Sequence, residues 1–126
     1  MDMSTFKAVA YGVAHALEWH VGPISQPSVT PNFWAAELVH RDTKYYLLCS
    51  ENNDWAVSSK FDSGICQLQF EDCEQLSSNL NALYGIRVLS KKELEAPFSE
   101  RIYLSDSDVS YWKPKTAGDA LFNWWD

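Results

Sequence analysis

The stretch Phe33-Trp-Ala-Ala-Glu-Leu-Val-His-Arg-Asp-Thr-Lys-Tyr-Tyr-Leu-Leu-Cys-Ser50 decides the fold of this chain. Its two halves, residues 33–41 and 44–50, are rich in aromatic and aliphatic side chains, which is typical of strands. The pair Asp42-Thr43 lies between them and is predicted as the turn of a β-hairpin. This hairpin predicts an antiparallel sheet at the centre of the molecule.

Two more strands are predicted after this hairpin. Residues 51–54, Glu-Asn-Asn-Asp, form a turn, because Asn and Asp tolerate left-handed backbone and bond to it through their side chains. A strand at 55–59 and a turn at 62–64 follow. Residues 65–70 alternate apolar side chains with glutamines, as in a strand with one face in water.

A long N-terminal helix is predicted from a cap at Ser4 to about Trp19 or His20. Its outer side carries an aromatic row of Tyr11, His15 and Trp19, which is either covered by another element or presented to a partner, cover being favoured. Prolines in the segment that follows predict an extended connection to the hairpin. The stripe expected to face the core consists of Phe6, Val9, Ala10, Val13, Ala16, Leu17 and His20.

A second helix is predicted to open at Asp72 or Cys73 and to end at Gly85, where a left-handed residue is favoured. A short strand at 86–89 and a capping box over residues 90–93, which starts a brief helix, follow. The residues of the second helix expected to line the core are Leu76, Leu80 and Leu83 or Tyr84.

The C-terminal region is predicted to hold a strand at 101–104 and a last helix from Thr116 to about Trp124. Phe122, Leu121 and one tryptophan of the final pair are expected in the core, with Trp112 as a lid. The fold class is therefore α+β. A central antiparallel meander of three to five strands is packed by N-terminal, middle and C-terminal helices, which we expect on one face, in one domain over residues 1–126.

Composition and charge restrict the class of partner. The 126 residues are 46% hydrophobic and carry a formal net charge of −7. This charge argues against binding a nucleic-acid backbone or an anionic membrane, and it favours a cationic partner. Acidity that serves solubility alone is the competing explanation.

Three cysteines, Cys49, Cys66 and Cys73, predict neither a disulfide framework nor a zinc ribbon, because the number is odd and no C-x-x-C occurs. We expect Cys49 and Cys66 in the core of strands. The first residues lack the basic and apolar regions of a signal peptide. The sequence thus predicts a cytoplasmic protein with free thiols.

No catalytic or cofactor site is predicted. His15 and His20 are five residues apart and cannot share an ion on one helix face, so no metal site is expected. We predict His15 on the surface and His20 as a hydrogen-bonded core residue. Cys73 is surrounded by carboxylates, which disfavour a reactive thiolate.

Most of the net charge lies in one segment, which we call the acidic rim. Between residues 51 and 74 there are six carboxylates against Lys60 alone. The predicted topology places these groups on turns and near a helix start, where they can converge on a cationic protein and speed its association. Asp72 is also predicted as the cap of the second helix. The acidic rim consists of Glu51, Asp54, Asp62, Glu71, Asp72 and Glu74.

The chain ends with Tyr111-Trp-Lys-Pro and Gly118-Asp-Ala-Leu-Phe-Asn-Trp-Trp-Asp126. With its small size and acidity, this ending resembles the immunity proteins of bacterial polymorphic toxin and contact-dependent growth inhibition systems. The resemblance implies a cytoplasmic protein that binds one cognate toxin domain, often a nuclease, and blocks it. Two other functions stay open: a secretion chaperone that binds an effector segment as a dimer, and a small hydrolase with paired carboxylates.

Overall fold

The computed structural model describes residues 1–28, 32–61 and 68–96, together with Thr116, Gly118, Leu121 and Phe122. Within these ranges the chain alternates between an N-terminal helix, a run of strands and two further helices. In chain order the elements are α1 (Met3–Leu17), β1 (His20–Ser25), β2 (Phe33–His40), β3 (Thr43–Ser50), β4 (Trp55–Phe61), β5 (Leu68–Phe70), α2 (Glu74–Tyr84) and α3 (Lys91–Glu95).

The strands form one antiparallel sheet in the order β1-β2-β3-β4-β5, so that each strand pairs with its neighbour in sequence. The predicted hairpin is present, and β2 and β3 pair from Phe33 with Ser50 to His40 with Thr43. Its turn is Arg41-Asp42, one residue earlier than predicted, and Arg41 takes a left-handed φ of 57°. The antiparallel meander and the α+β class are confirmed.

Strand β1 is absent from the sequence prediction, which had an extended connection there. Residues 20–25 pair with β2, and the register shifts by one residue between Val21 and Ile24. Gly22 and Pro23 are the two residues at this register shift. Proline is accepted in a strand at a sheet edge or a bulge, because no ladder donor is needed there. The proline that argued against regular structure thus lies at a bulge of an edge strand.

Both faces of the sheet are covered, which corrects the prediction of helices on one face. On one face, Leu47 and Cys49 of β3 pack with residues of α1 and α2. On the other face, Leu48 packs with Leu94 of α3 and with Phe122. The central strands are therefore buried on both sides, which explains why β2 begins with an unbroken apolar run instead of an alternating pattern.

The N-cap of helix α1 lies two residues earlier than predicted. Asp2, not Ser4, is the N-cap, and its carboxylate accepts the backbone N–H of Thr5 at 2.7 Å. This hydrogen bond lowers the pKa of the Asp2 carboxyl. Asp is a strong N-cap because its oxygen satisfies a free N–H of the first turn.

The end of α1 also differs from the predicted stripe. Glu18 adopts a left-handed φ of 61° and stops the helix, so His20 belongs to β1 and is exposed. The prediction of His20 as a core histidine is therefore wrong, and Ala16 is exposed as well. Phe6, Val9, Ala10 and Val13 are buried as predicted, and Ala14 joins them.

Helix α2 confirms part of its prediction. Cys73 is the N-cap residue, Leu76 and Leu80 are fully buried, and Gly85 ends the helix at a left-handed φ of 66°. Leu83 and Tyr84, one of which was predicted to line the core, are both exposed.

The predicted strand at 86–89 is reduced to a single parallel bridge between Val88 and Trp55. The capping box of α3 is present, with the side chains of Ser90 and Glu93 each bonded to the other's backbone N–H. Phe122 is fully buried, as predicted, and its N–H donates to the carbonyl of Gly118 at 2.9 Å. The predictions for residues 62–67, 97–115 and 123–126, with Asp62, Cys66 and Trp112 among them, lie outside the described residues.

Candidate acidic interface

The β3–β4 turn presents the first two carboxylates of the acidic rim. Ser50 holds this turn together, because its hydroxyl accepts the backbone N–H groups of Asn52 at 3.2 Å and Asp54 at 2.9 Å. The same hydroxyl donates to the carboxylate of Asp54 at 2.9 Å. Asp54 is thus part of the turn as well as of its surface, whereas Glu51 is exposed at the tip.

Glu71 lies just beyond β5, where it extends the pairing with β4. Its backbone N–H donates to the carbonyl of Val57 at 2.9 Å. Its carboxylate accepts the side-chain amide of Gln69 at 3.3 Å and the hydroxyl of Ser59 at 3.4 Å. Both donors are neutral, so the charge of Glu71 is not compensated by them.

Asp72 does not cap α2, which corrects the prediction made for it. Its carboxylate accepts the backbone N–H of Lys91, the first residue of α3, at 2.7 Å. The first N–H groups of a helix have no partner inside it, and a carboxylate is a favoured partner from outside. Asp72 therefore fastens α3 to the segment that precedes α2, while Cys73 at the α2 N-cap makes no capping bond with its side chain.

The structure brings the two acidic segments to neighbouring places along β4. Trp55 follows Asp54 directly, and Glu71 pairs with Val57. Asp54 and Val57 are three positions apart in the sequence, which corresponds to about 10 Å along β4. This separation is somewhat longer than the Debye length of about 8 Å at physiological salt, so each segment acts mainly on the part of a partner surface that lies next to it.

Cationic residues lie near the acidic rim but do not pair with its described members. The ion pairs among the described residues are Lys44 with Glu37 and Arg87 with Glu93. The Arg87 guanidinium lowers the pKa of the Glu93 carboxyl, so this cation is already engaged. Asp72 is bonded to the start of α3, where Lys91 and Lys92 lie. These two lysines make that end of the acidic rim less negative than the net charge of residues 51–74 alone implies.

Neither described cysteine is a surface thiol. Cys49 is fully buried, and burial raises its pKa to about 12. Cys73 is buried beside Tyr45, whose pKa is raised by burial first and then by Cys73 and Glu71. The prediction of Cys49 as a strand-core residue is confirmed.

No group of three or more potential metal ligands occurs among the residues that the structure describes. His15 is exposed, as predicted. The predicted aromatic row does not lie on one helix, because Trp19 follows the end of α1. The Trp19 ring is buried in a stack with His40 and Tyr45, at centroid distances of 5.0 and 5.6 Å, whereas Tyr11 is 56% exposed.

Sequence reasoning missed a second surface, formed by α1 and α2. The C-terminal end of α2 leaves Leu83 and Tyr84 half exposed beside α1. A groove of about 560 Å³ extends between Tyr84 and Asn53 of the β3–β4 turn. One signal could have revealed this surface: Glu74 is the only charged residue in the whole of α2. The groove is lined by Met1, Asp2, Thr5, Val9, Asn53, Trp55, Tyr84 and Ile86.

Comparison of the chain with protein families, curated proteins and solved structures finds no match. Within the described ranges, every helix is too short or too polar to cross a membrane.

Proposed function

We propose that this chain is a cytoplasmic immunity protein, which neutralises a cationic toxin domain by binding it through the acidic rim. The observation that supports the proposal is that the described carboxylates of the acidic rim are not neutralised by described cations. Glu51, Asp54, Glu71, Asp72 and Glu74 form no ion pair with any described cation, although three of them are hydrogen-bonded to neutral groups.

Uncompensated carboxylates support binding of a basic surface for an electrostatic reason. A chain with a net charge of −7 attracts a cationic protein from a distance, and complementary rim charges accelerate the encounter. A toxin that acts on nucleic acid must present cationic side chains to phosphates. Carboxylates placed over those side chains exclude the substrate without any catalytic group.

The proposal is tested by capture of partners from the source organism on the immobilised chain. We expect retention of a basic protein that binds with one-to-one stoichiometry and whose toxic activity the chain inhibits. The comparison is a quadruple variant, Glu51→Gln, Asp54→Asn, Glu71→Gln and Glu74→Gln, which keeps the size and hydrogen-bonding shape of each side chain. Asp72 is left unchanged because it holds α3.

The same experiment distinguishes the proposed function from the other two, a secretion chaperone and a small hydrolase. Capture of a protein through an extended, non-basic segment identifies a secretion chaperone and contradicts the proposal. Turnover of a small substrate by the purified chain identifies a hydrolase and contradicts it as well. Equal retention of the basic protein by the native chain and the quadruple variant removes the acidic rim from the interface.

A further inference from the structure

The groove between the start of α1 and the β3–β4 turn has an apolar floor. Its volume of about 560 Å³ lies within the range of about 300–1,000 Å³ that is usual for ligand-binding clefts. Trp55 and Val9 line it and are almost fully buried, and the half-buried Ile86 adds a third apolar side chain. The groove therefore offers a surface on which a large apolar side chain can be removed from water.

Carboxylates lie beside this floor. Asp2 is the charged side chain among the lining residues, and the amino group of Met1 compensates part of its charge. Asn53, another lining residue, belongs to the turn that contains Glu51 and Asp54. Its backbone N–H donates to the carbonyl of Ser50 at 3.1 Å, which closes a turn about 7 Å across. Two carboxylates of the acidic rim thus start within about one Debye length of the groove.

The cationic side chains nearest to the lining residues in sequence do not balance these carboxylates. Thr5 and Val9 line the groove from α1 and are about one helical turn apart. Lys7 lies between them in sequence, about 200° around the helix from Thr5, and therefore points away from the groove. Arg87 follows the lining residue Ile86, but its guanidinium is paired with a glutamate of α3.

We propose that this groove binds a segment of the toxin domain in which a large apolar side chain is flanked by lysines or arginines. The apolar side chain packs against Trp55 and Ile86. The flanking cations meet the carboxylates of Asp2, Glu51 and Asp54. Charge complementarity selects this occupant, because the same carboxylates repel an acidic segment and add nothing to the binding of a neutral one. The inference rests on the proposed function, since it names the part of the cationic partner that is bound.

An apolar anchor gives the complex a property that the acidic rim alone does not give. Rim charges mainly raise the association rate, whereas slow dissociation depends on well-packed, desolvated contacts at the centre of an interface. The groove therefore determines how long the complex lasts, and the acidic rim determines how fast it forms.

Three synthetic peptides with blocked ends test the proposal without the toxin: Lys-Lys-Phe-Lys-Lys, Glu-Glu-Phe-Glu-Glu and Lys-Lys-Ser-Lys-Lys. Each is titrated into the isotope-labelled chain, and the backbone amide shifts are followed by NMR. We expect Lys-Lys-Phe-Lys-Lys to shift the amides of Thr5, Asn53 and Ile86. It should bind at least about tenfold more tightly than either of the other two peptides, which lack the cations or the apolar side chain.

The blocking variant is Thr5→Trp, which fills the groove from an exposed position of α1 and should abolish the shifts at Asn53 and Ile86. The matched control is Ala16→Trp, which adds the same side chain at another exposed position of α1, about 16 Å further along the helix. This control should bind the peptide within about twofold of the native chain. Circular dichroism and thermal unfolding establish that both variants are folded.

Absence of these shifts at millimolar Lys-Lys-Phe-Lys-Lys overturns the proposal. Equal binding of the acidic or the serine peptide overturns it as well, as does unchanged binding by the Thr5→Trp variant. If a basic toxin is captured but the groove fails these tests, the proposed function stands and this inference falls. If the peptide binds in the groove but no basic toxin is captured, the proposed function falls, while the preference of the groove for a basic apolar segment stands.

Discussion

Ser58 shows how one buried hydroxyl fixes the geometry between β4 and β5. The pairing shifts by one residue there, from Ser58 with Phe70 to Phe61 with Leu68, so β4 contains a bulge. The Ser58 hydroxyl is fully buried and accepts the backbone N–H groups of Lys60 and Gln69, at 3.2 and 2.9 Å. A bulge leaves ladder groups unpaired, and here a side chain satisfies them.

Replacing Ser58 by alanine should therefore destabilise the protein by about 1–3 kcal/mol, the usual cost of leaving buried donors without partners. Urea unfolding followed by tryptophan fluorescence measures this change. Ser59→Ala is the matched control, because its hydroxyl makes only long contacts of 3.4 Å and should change stability by less than about 0.5 kcal/mol. Equal effects of the two substitutions would contradict this role of Ser58.

Cys49 predicts a specific loss of stability in alkali. Burial raises the pKa of the Cys49 thiol to about 12 in the folded chain, from about 9.0 for a free thiol. Above the free value the unfolded state releases a proton that the folded state retains, so stability falls as pH rises between the two values, by up to about 1.4 kcal/mol per pH unit. Urea unfolding at a series of pH values in this window should show a shallower decline for Cys49→Ala than for the native chain, and parallel curves would rule the thiol out as the cause.

Several single residues behave differently from their sequence patterns because tertiary contacts compete with local signals. Asp72 precedes a helix and looks like its cap, but α3 folds next to it and offers the unpartnered N–H of Lys91. His20 continues the apolar period of α1, yet the left-handed Glu18 ends the helix first. The periodicity of the sequence reveals neither the hydrogen bond of Asp72 nor the end of α1 at Glu18. The capping box of Ser90 and Glu93 depends only on residues close in sequence, and it is predicted correctly.

At the level of elements, the antiparallel meander could be predicted from the sequence. The covering of both faces of the sheet could not. The turns predicted at 42–43 and 51–54 place the ends of β2, β3 and β4 within two residues of those in the structure. The unbroken apolar starts of β2 and β4 match burial on both faces, whereas the alternation in residues 65–70 predicts a sheet with one face in water. The covering of the second face by Leu94 and Phe122 depends on long-range packing, which no local pattern encodes.

Phe122 tests whether the C-terminal segment is part of the core. Its ring is fully buried and lies against Phe33 and Phe70, at centroid distances of 5.6 and 5.9 Å. Phe122→Ala should cost about 3–5 kcal/mol of stability by loss of a large buried side chain. Leu83→Ala is the control at a half-exposed site and should cost far less. A Phe122→Ala variant with native unfolding midpoint would show that this segment does not stabilise the sheet.

Deletion of residues 117–126 extends this test, because it removes Phe122 and uncovers the sheet surface of Phe33, Leu48 and Phe70. We expect the shortened chain to be insoluble or to unfold at a much lower temperature, as measured by differential scanning fluorimetry. A shortened chain that melts at the native temperature but no longer binds its partner would instead define the segment as a binding element.

At the level of the whole molecule, charge and shape divide the surface into two parts. The acidic rim includes the β3–β4 turn, the β5–α2 connection and Glu74 at the start of α2, whereas the exposed apolar side chains of Tyr11, Leu83 and Tyr84 lie further along α1 and α2. The sequence predicted the first part, since acidic residues cluster between positions 51 and 74. It did not predict the second, because Leu83 and Tyr84 have the helical spacing of core residues and yet are exposed.

The association rate with the captured basic partner, measured at low and at high salt, tests the central claim most directly. The native chain should associate fast at low salt and much more slowly at high salt, because the acidic rim steers the encounter. The quadruple variant with Glu51→Gln, Asp54→Asn, Glu71→Gln and Glu74→Gln should associate more slowly at low salt and respond weakly to salt. Identical rates for the native chain and the variant at both salt concentrations would contradict the claim that the acidic rim binds the partner.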